Sequence, residues 1–321
     1  MNASPPPILV AFASVDALIE ALPSQTREEC EEEIRHLVGS GLAPAASTLT
    51  VSTLFGVSAE FIGAMTRAPH RYYRRFAIRK GKKIRQIEAP KVALKLIQRW
   101  IGAHLANATS LPNCVFGFVP GKSGVTEGAQ MHCGSHWVYS LDLRNFFSNI
   151  ASSRVILALI ARGYSERAAN VIARFCTLEG RLPQGSPASP VLSNLVFLET
   201  DIALQVIANV ASVRYSRYAD DLVFSGQGDV PINLVKQVKA VLLAHAWEIA
   251  PEKEYLVKLP ARLKVHGLLV HGLTPRLTKG YRNRIRAYRH LLITNKIAPE
   301  DLSRISGHIA YADHVEKATR K

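Results

Sequence analysis

Tyr218-Ala219-Asp220-Asp221 sets two carboxylates side by side. Val213-Arg214-Tyr215-Ser216-Arg217 precedes them and Leu222-Val223-Phe224-Ser225 follows, both rich in β-branched and aromatic residues. A turn-prone cluster, Gly226 to Asp229, comes next, so the pattern predicts strand, tight turn, strand. Adjacent carboxylates disfavour each other's ionisation. A cation between them relieves the repulsion, and hard oxygen donors suit Mg²⁺. A solvated Asp-Asp turn needs no metal, so the pair alone defines no site. A third acid changes the weighting. Val138-Tyr139-Ser140-Leu141-Asp142-Leu143 reads as a mostly apolar strand ending in one carboxylate, with Asn145-Phe146-Phe147 after it. A buried carboxylate needs a partner or stays protonated. Asp142 lies 78 positions before Asp220, so only folding can bring them to one metal. Two cations about 4 Å apart, bridged by such acids, would activate a 3′ hydroxyl and stabilise leaving phosphate oxygens.

The charge pattern suggests what such acids would act on. Residues 71–99 hold 11 Lys/Arg against one Asp/Glu, and residues 256–321 hold 14 against four. The stretch between them, which contains all three acids, balances at 12 against 12, and residues 1–70 are acidic. Two basic blocks flanking a neutral centre suit a polyanion gripped on both sides of a metal site. Two ordinary solvated faces would more often mix both signs.

Other segments must position these groups. Val15 to Ala21, Arg27 to Val38 and Val57 to Met65 carry helical apolar spacing, broken by Gly39, Gly41 and Pro44. Tyr72 to Arg79, then Lys80-Gly81-Lys82-Lys83, then Ile84 to Pro90 read as a hairpin with cations on one face. Leu94, Ile97, Gln98 and Ile101 continue as an amphipathic helix, and residues 153–178 and 232–247 are also helical in pattern. Gly180 to Ser193 holds three prolines and two glycines before an apolar helix. Such a rigid, side-chain-poor loop lets backbone approach a substrate closely. Arg282, Arg286 and Arg289 share one helical face, which suits tracking a duplex backbone without reading bases.

Two tempting motifs fail. Gly117 lies one position too close to Gly121-Lys122-Ser123 for a phosphate-binding loop, and Pro120 removes an amide that such a loop would use. His132, Cys133 and His136 lack a nearby fourth ligand for zinc.

Asp142 with Phe146-Phe147, then Leu182-Pro183-Gln184-Gly185-Ser186-Pro187-Ala188-Ser189-Pro190, then Tyr218-Ala219-Asp220-Asp221 resemble, in order and spacing, the successive palm motifs of reverse transcriptases. Phe116-Gly117-Phe118-Val119-Pro120-Gly121-Lys122-Ser123 resembles the Gly-Phe-x-x-Gly-x-Ser segment of bacterial retron enzymes. Gly128-Ala129-Gln130-Met131-His132 keeps the Ala and His of their Asn-Ala-x-x-His signature, with Gly in place of Asn. Val265-His266-Gly267 stands where they often show Val-Thr-Gly. The resemblance implies an α+β right-hand polymerase with fingers, palm and a short helical thumb. It implies Asp142, Asp220 and Asp221 as catalytic residues, and Asp142, Leu143, Asp220 and Asp221 as holders of two Mg²⁺ ions. Lys83 and Arg85 would touch the phosphates of an incoming dNTP, with Gln184 against that nucleotide. Phe147 would exclude a 2′ hydroxyl, and Lys253 would protonate pyrophosphate. Ser186 to Asn194 would line the template, and His266 and Gly267 the primer.

The expected divisions are an N-terminal helical segment (1–66), fingers and palm (67–255), and primer grip with thumb (256–321). The retron resemblance implies a cognate structured non-coding RNA as template, priming from a 2′ hydroxyl, and an RNA-linked single-stranded DNA product. It also implies an effector protein and a role in antiphage defence. The short remainder after Val270 leads us to expect none of the extra domains of full group II intron proteins. Another bacterial reverse transcriptase class, or an RNA-binding protein that lost turnover, stays open. Hydrophobic content of 48% implies a folded chain. Scattered Cys30, Cys114, Cys133 and Cys176, with no uninterrupted apolar run of membrane-spanning length, lead us to expect a soluble cytoplasmic protein without a membrane partner.

Overall fold

The computed structural model of the chain describes residues 6–80, 83–122 and 124–318. In chain order the elements begin with α1 (Val15–Glu20), α2 (Ser24–Gly39), α3 (Thr48–Phe55) and α4 (Ala59–Arg67). The hairpin strands β1 (Tyr73–Lys80) and β2 (Lys83–Pro90) follow, then α5 (Val92–Ala108), α6 (Val125–Met131) and β3 (Trp137–Asp142). Next come α7 (Ser152–Ile160), α8 (Glu166–Cys176), α9 (Ser189–Val210), β4 (Arg214–Tyr218), β5 (Asp221–Gly226) and α10 (Leu234–Ala244). The chain continues through β6 (Tyr255–Lys258), β7 (Lys264–Val265), β8 (Leu268–Leu269), β9 (Arg276–Leu277), α11 (Lys279–Ile293) and α12 (Pro299–Ala318). The helix α3 lies in the expected helical segment but outside its three periodic stretches, and its sequence, Thr-Leu-Thr-Val-Ser-Thr-Leu-Phe, is dominated by residues that favour strands or caps. The Ser47 side chain caps its first turn by accepting from Thr50 N at 3.0 Å, and burial of Val51 and Leu54 secures it.

Two compact units divide the chain, and each is discontinuous in sequence. The first takes in the chain to Leu111 together with Asn145–Glu199. Within it β1 and β2 pair antiparallel from Tyr73↔Pro90 to Lys80↔Lys83. Strand alternation places Arg74 and Arg85 on one face and Arg75 and Arg79 on the other, so the cations divide between faces instead of sharing one. Glu88, buried at 6% exposure, anchors the hairpin base. Arg181 grips its carboxylate with Nη1 at 2.9 Å and Nη2 at 3.0 Å, and Arg75 Nε approaches at 3.4 Å. The Glu88 N–H donates to Gln184 O at 2.8 Å, which ties the Pro-Gln-Gly-Ser-Pro loop to the hairpin.

The second unit comprises Pro112–Arg144 and Thr200–Lys321. Its four-stranded sheet runs β4-β5-β3-β6, antiparallel at each pairing. The segment 112–144 belongs with the C-terminal half because β3 is buried along its whole length and takes partners on both edges from that half. A three-stranded sheet, β7-β8-β9, shares a core with β3, β5, α11 and α12 through Val138, Val223, Val265, Leu268, Ile285 and Val315. By length and composition α9 could cross a membrane despite Glu199 and Asp201, yet 56% of its apolar window is buried in the protein, which equally fits a core helix.

Gly185 is held at φ +136, and a Cβ there would meet Glu88 O at 2.8 Å. Gly185→Ala is therefore expected to cost about 2–4 kcal/mol of stability from combined backbone strain and overpacking, measured by urea unfolding.

Candidate active site

Sheet register brings the three acids together. Asp142, the last residue of β3, pairs with Asp221, the first residue of β5, and Leu143 N donates to Asp220 O at 3.0 Å. Between β4 and β5 the chain reverses through Ala219-Asp220, with Tyr218 opposite Asp221. Ala219 sits at φ 55, the left-handed value that tight hairpin turns require and that L-residues seldom adopt. Gly117 holds this turn from below. A Cβ on Gly117 would lie 2.5 Å from Ala219 N and 3.1 Å from Tyr218 C, so only glycine permits the approach.

The electrostatics follow from crowding and burial. Burial pushes the Asp142 carboxyl up to about 6, with Lys253 opposing and Asp220 and Asp221 reinforcing the rise. Burial acts on Asp221 in the same sense, but the His266 imidazole and the hydrogen bond with Asp142 outweigh it and hold this carboxyl below the ordinary aspartate range. The Lys253 ammonium forms an ion pair with Asp142 Oδ1. Main-chain bonds fix that lysine: Ala250 N donates to Asp142 O at 2.9 Å and Lys253 N to Ala250 O at 2.9 Å. Arg144 braces the same segment through Glu248 at 2.8 Å and Glu252 at 3.1 Å. Among the described residues no group of three or more His, Cys, Asp or Glu side chains is closed up as a ligand set. The donor chemistry nonetheless fits hard divalent cations. Carboxylates gathered from two strands already hold one cation, the Lys253 ammonium, against Asp142.

Beneath the turn lies a polar network that the sequence reading missed. Arg217 and Asp201 are both fully buried, with Arg217 Nη2 at 2.6 Å and Nε at 2.8 Å from the carboxylate. Tyr215 Oη donates to the same carboxylate at 2.8 Å, and Arg217 Nη1 donates to Ala219 O at 3.2 Å. The guanidinium thus connects the buried acid to the turn itself. Asp201 was detectable as one of two carboxylates in a mostly apolar helix, since a buried acid requires a partner. His132 is also fully buried. Its Nδ1 lies 2.7 Å from Ser225 Oγ and its Nε2 2.6 Å from Ser216 Oγ, so it links β4 to β5.

The remaining candidates divide. In the second unit, His266 Nδ1 stands 3.7 Å from Asp221 Oδ2, with its ring 5.5 Å from that of Tyr218. His266 and Gly267 form the β7–β8 turn at φ 50 and φ 84. Arg282 and Arg286 are exposed on α11. Arg289 is engaged with Asp313 and Glu316 of α12, which diverts it from the basic face expected of it. In the first unit, Arg85 is exposed, Gln184 is half-buried, and Phe147 is half-buried with its ring 5.4 Å from Phe146. The Lys83 side chain, like Gly81, Lys82 and Ser123, lies outside the described residues. Ser186 and Asn194, expected along a template, are 5% and 1% exposed. Ser186 Oγ donates inward to the buried Gln98 at 2.7 Å, so the polar face of this loop serves the core.

Arg217→Met strands a buried carboxylate and should lower stability by about 3–5 kcal/mol, with part recovered on adding Asp201→Leu, in chemical denaturation.

The family model described as Reverse transcriptase (RNA-dependent DNA polymerase) matches residues 78–268. Retron Mx65 reverse transcriptase of Myxococcus xanthus is 31% identical over 261 residues, covering 75% of this chain and 61% of that protein. Retron Ec86 reverse transcriptase of Escherichia coli is 24% identical over 253 residues, covering 78% of each. The chain thus spans about three-fifths of the Mx65 enzyme's length. Among solved structures, telomerase from Candida albicans in complex with a fragment of telomeric RNA aligns with TM-score 0.46 at 9% identity, covering 70% of this chain and 50% of that one. The chain belongs to the reverse transcriptase (RNA-dependent DNA polymerase) family and has its α+β right-hand polymerase fold.

Proposed function

We propose that the chain is an RNA-directed DNA polymerase of the retron type, which copies a cognate structured non-coding RNA into RNA-linked single-stranded DNA. The observation that carries this reading is the Asp142↔Asp221 pairing with the Leu143–Asp220 bond, which sets three acids from two distant segments at one end of a sheet. Retron relatives support the template class, and priming from a 2′ hydroxyl, an effector partner and antiphage defence belong to the same proposal.

In this reading Asp142, Asp220 and Asp221, with the Leu143 carbonyl, hold two Mg²⁺ ions. Bound there, the ions supply charge neutralisation and activation of the primer hydroxyl. The chain's own groups do the rest. Lys83 and Arg85 of the hairpin hold the dNTP phosphates, where Arg provides a fork of donors. Gln184 positions the nucleotide from a loop whose backbone is tied to β2. Phe147 excludes the ribose 2′ hydroxyl by bulk, and Lys253, beside Asp142, delivers a proton from Nζ to departing pyrophosphate. The His266–Gly267 turn seats the primer end, Ser186 and Asn194 shape the template loop from within, and Arg282 and Arg286 form the basic thumb surface, with Arg289 held back by Asp313 and Glu316.

Asp220→Asn is expected to cut primer extension on an RNA template with Mg²⁺ by ~100-fold or more. Equal DNA yield from variant and unaltered protein would exclude this mechanism. A pH dependence follows from Asp142. Its carboxyl is raised to about 6, so protons compete with Mg²⁺ below that pH and cease to compete above it. Calorimetric Mg²⁺ affinity should therefore be about tenfold weaker at pH 5 than at pH 7 and level above.

A further inference from the structure

The segment from Phe116 to Lys122 resembles a phosphate loop without being one, and the acids do not account for it. In the second unit it forms one wall of a cavity of about 550 Å³, completed by Thr126, Tyr218 and, from α12, Tyr311 and His314. That volume falls within the range of small-molecule sites.

Three features mark this cavity as a site. Phe118 is 40% exposed although its backbone is held at φ 61. A bulky L-residue stays in that conformation only where its surroundings impose it, and such outliers concentrate at functional sites. Its ring stands 6.2 Å from that of Tyr218 at 41°, so two aromatic faces share the wall. The polar lining is neutral or cationic, with no Asp or Glu among the described lining residues. Lys122 Nζ is fixed there by donating to Asn113 O at 3.0 Å and Val115 O at 2.7 Å, 4.5 Å over the Phe116 ring. Finally, the Thr126 hydroxyl beneath the cavity lining is buried with no hydrogen-bond partner among the described residues, an arrangement that costs free energy.

We infer that this cavity receives one unpaired nucleotide of a nucleic-acid strand, its base against the Phe118 and Tyr218 rings and its phosphate toward Lys122 and His314. Planar aromatic walls suit any base, and cations without competing carboxylates suit a phosphodiester. The inference rests on the polymerase reading, because Tyr218 both lines the cavity and leads directly into Ala219-Asp220-Asp221, the acids to which that reading brings a strand.

The test is fluorescence anisotropy with labelled single strands of about 12 nucleotides, one RNA and one DNA, beside a blunt duplex of equal length. Phe118→Ala and Tyr311→Ala should each weaken single-strand binding about 5- to 100-fold, while Phe118→Trp stays within about twofold of the unaltered chain. Duplex affinity should move less than about twofold in all three, and the RNA and DNA arms identify the strand. Phe118→Leu, which keeps apolar bulk but removes the ring, covers the case in which the alanine variant melts early. Single-strand binding unchanged in both Phe118→Leu and Tyr311→Ala, or an equal loss for duplex and single strand, would overturn the inference. Should the unaltered chain bind single strands through Phe118 yet extend no primer, the cavity assignment stands and the polymerase reading falls.

Discussion

Three carboxylates within one end of a small sheet repel one another, and each prefers water to the interior. The protein holds them there through backbone pairing. Asp142 and Asp221 are register partners, and Asp220 enters through its main-chain carbonyl to Leu143. A one-residue slip of β3 against β5 would turn the carboxylates to opposite faces. The register is fixed because Trp137, Val138, Tyr139 and Leu141 are all buried and cannot change faces cheaply. Hydrophobic burial along the strand thus stabilises an electrostatic arrangement at its end.

The same logic extends beneath the turn. Arg217 and Asp201 are completely buried, and ion pairs of this kind seldom add net stability relative to apolar replacements of the same shape. Their geometry explains what they do add. Arg217 reaches both the Asp201 carboxylate and Ala219 O, and Gly117 lies close against the backbone of the same turn. His132, held neutral because burial drives its imidazole down to about 3, bridges Ser216 and Ser225 on the two strands of the hairpin. A left-handed turn at a non-glycine residue persists only when it is over-determined in this way.

Much of this site was legible in the sequence. β-Branched and aromatic flanks with a turn cluster after them marked the Asp220–Asp221 hairpin, and the apolar run before Asp142 marked its strand, because buried strands leave that composition. Long-range partners leave no such trace. Arg217 reads as one more arginine in a basic chain, and its burial depends on an acid in α9. Ser186 and Arg289 looked available for nucleic acid, yet one is consumed by Gln98 in the core and the other by carboxylates on a neighbouring helix. The helix α3 was not marked out within the helical segment 1–66 because its stability comes from a cap and from packing, which override weak local propensity.

The strand β3 has a consequence for how the molecule comes into being. Both of its neighbours, β5 and β6, lie far downstream in the chain. During synthesis the ribosome must release β3 long before either partner exists, leaving a buried-type strand with two open edges. Prematurely terminated polypeptides that stop before β5 lack Asp221 and the partner of β3, so they can never assemble the acid cluster. Such non-local pairing also slows folding, since distant segments must meet before either is rewarded.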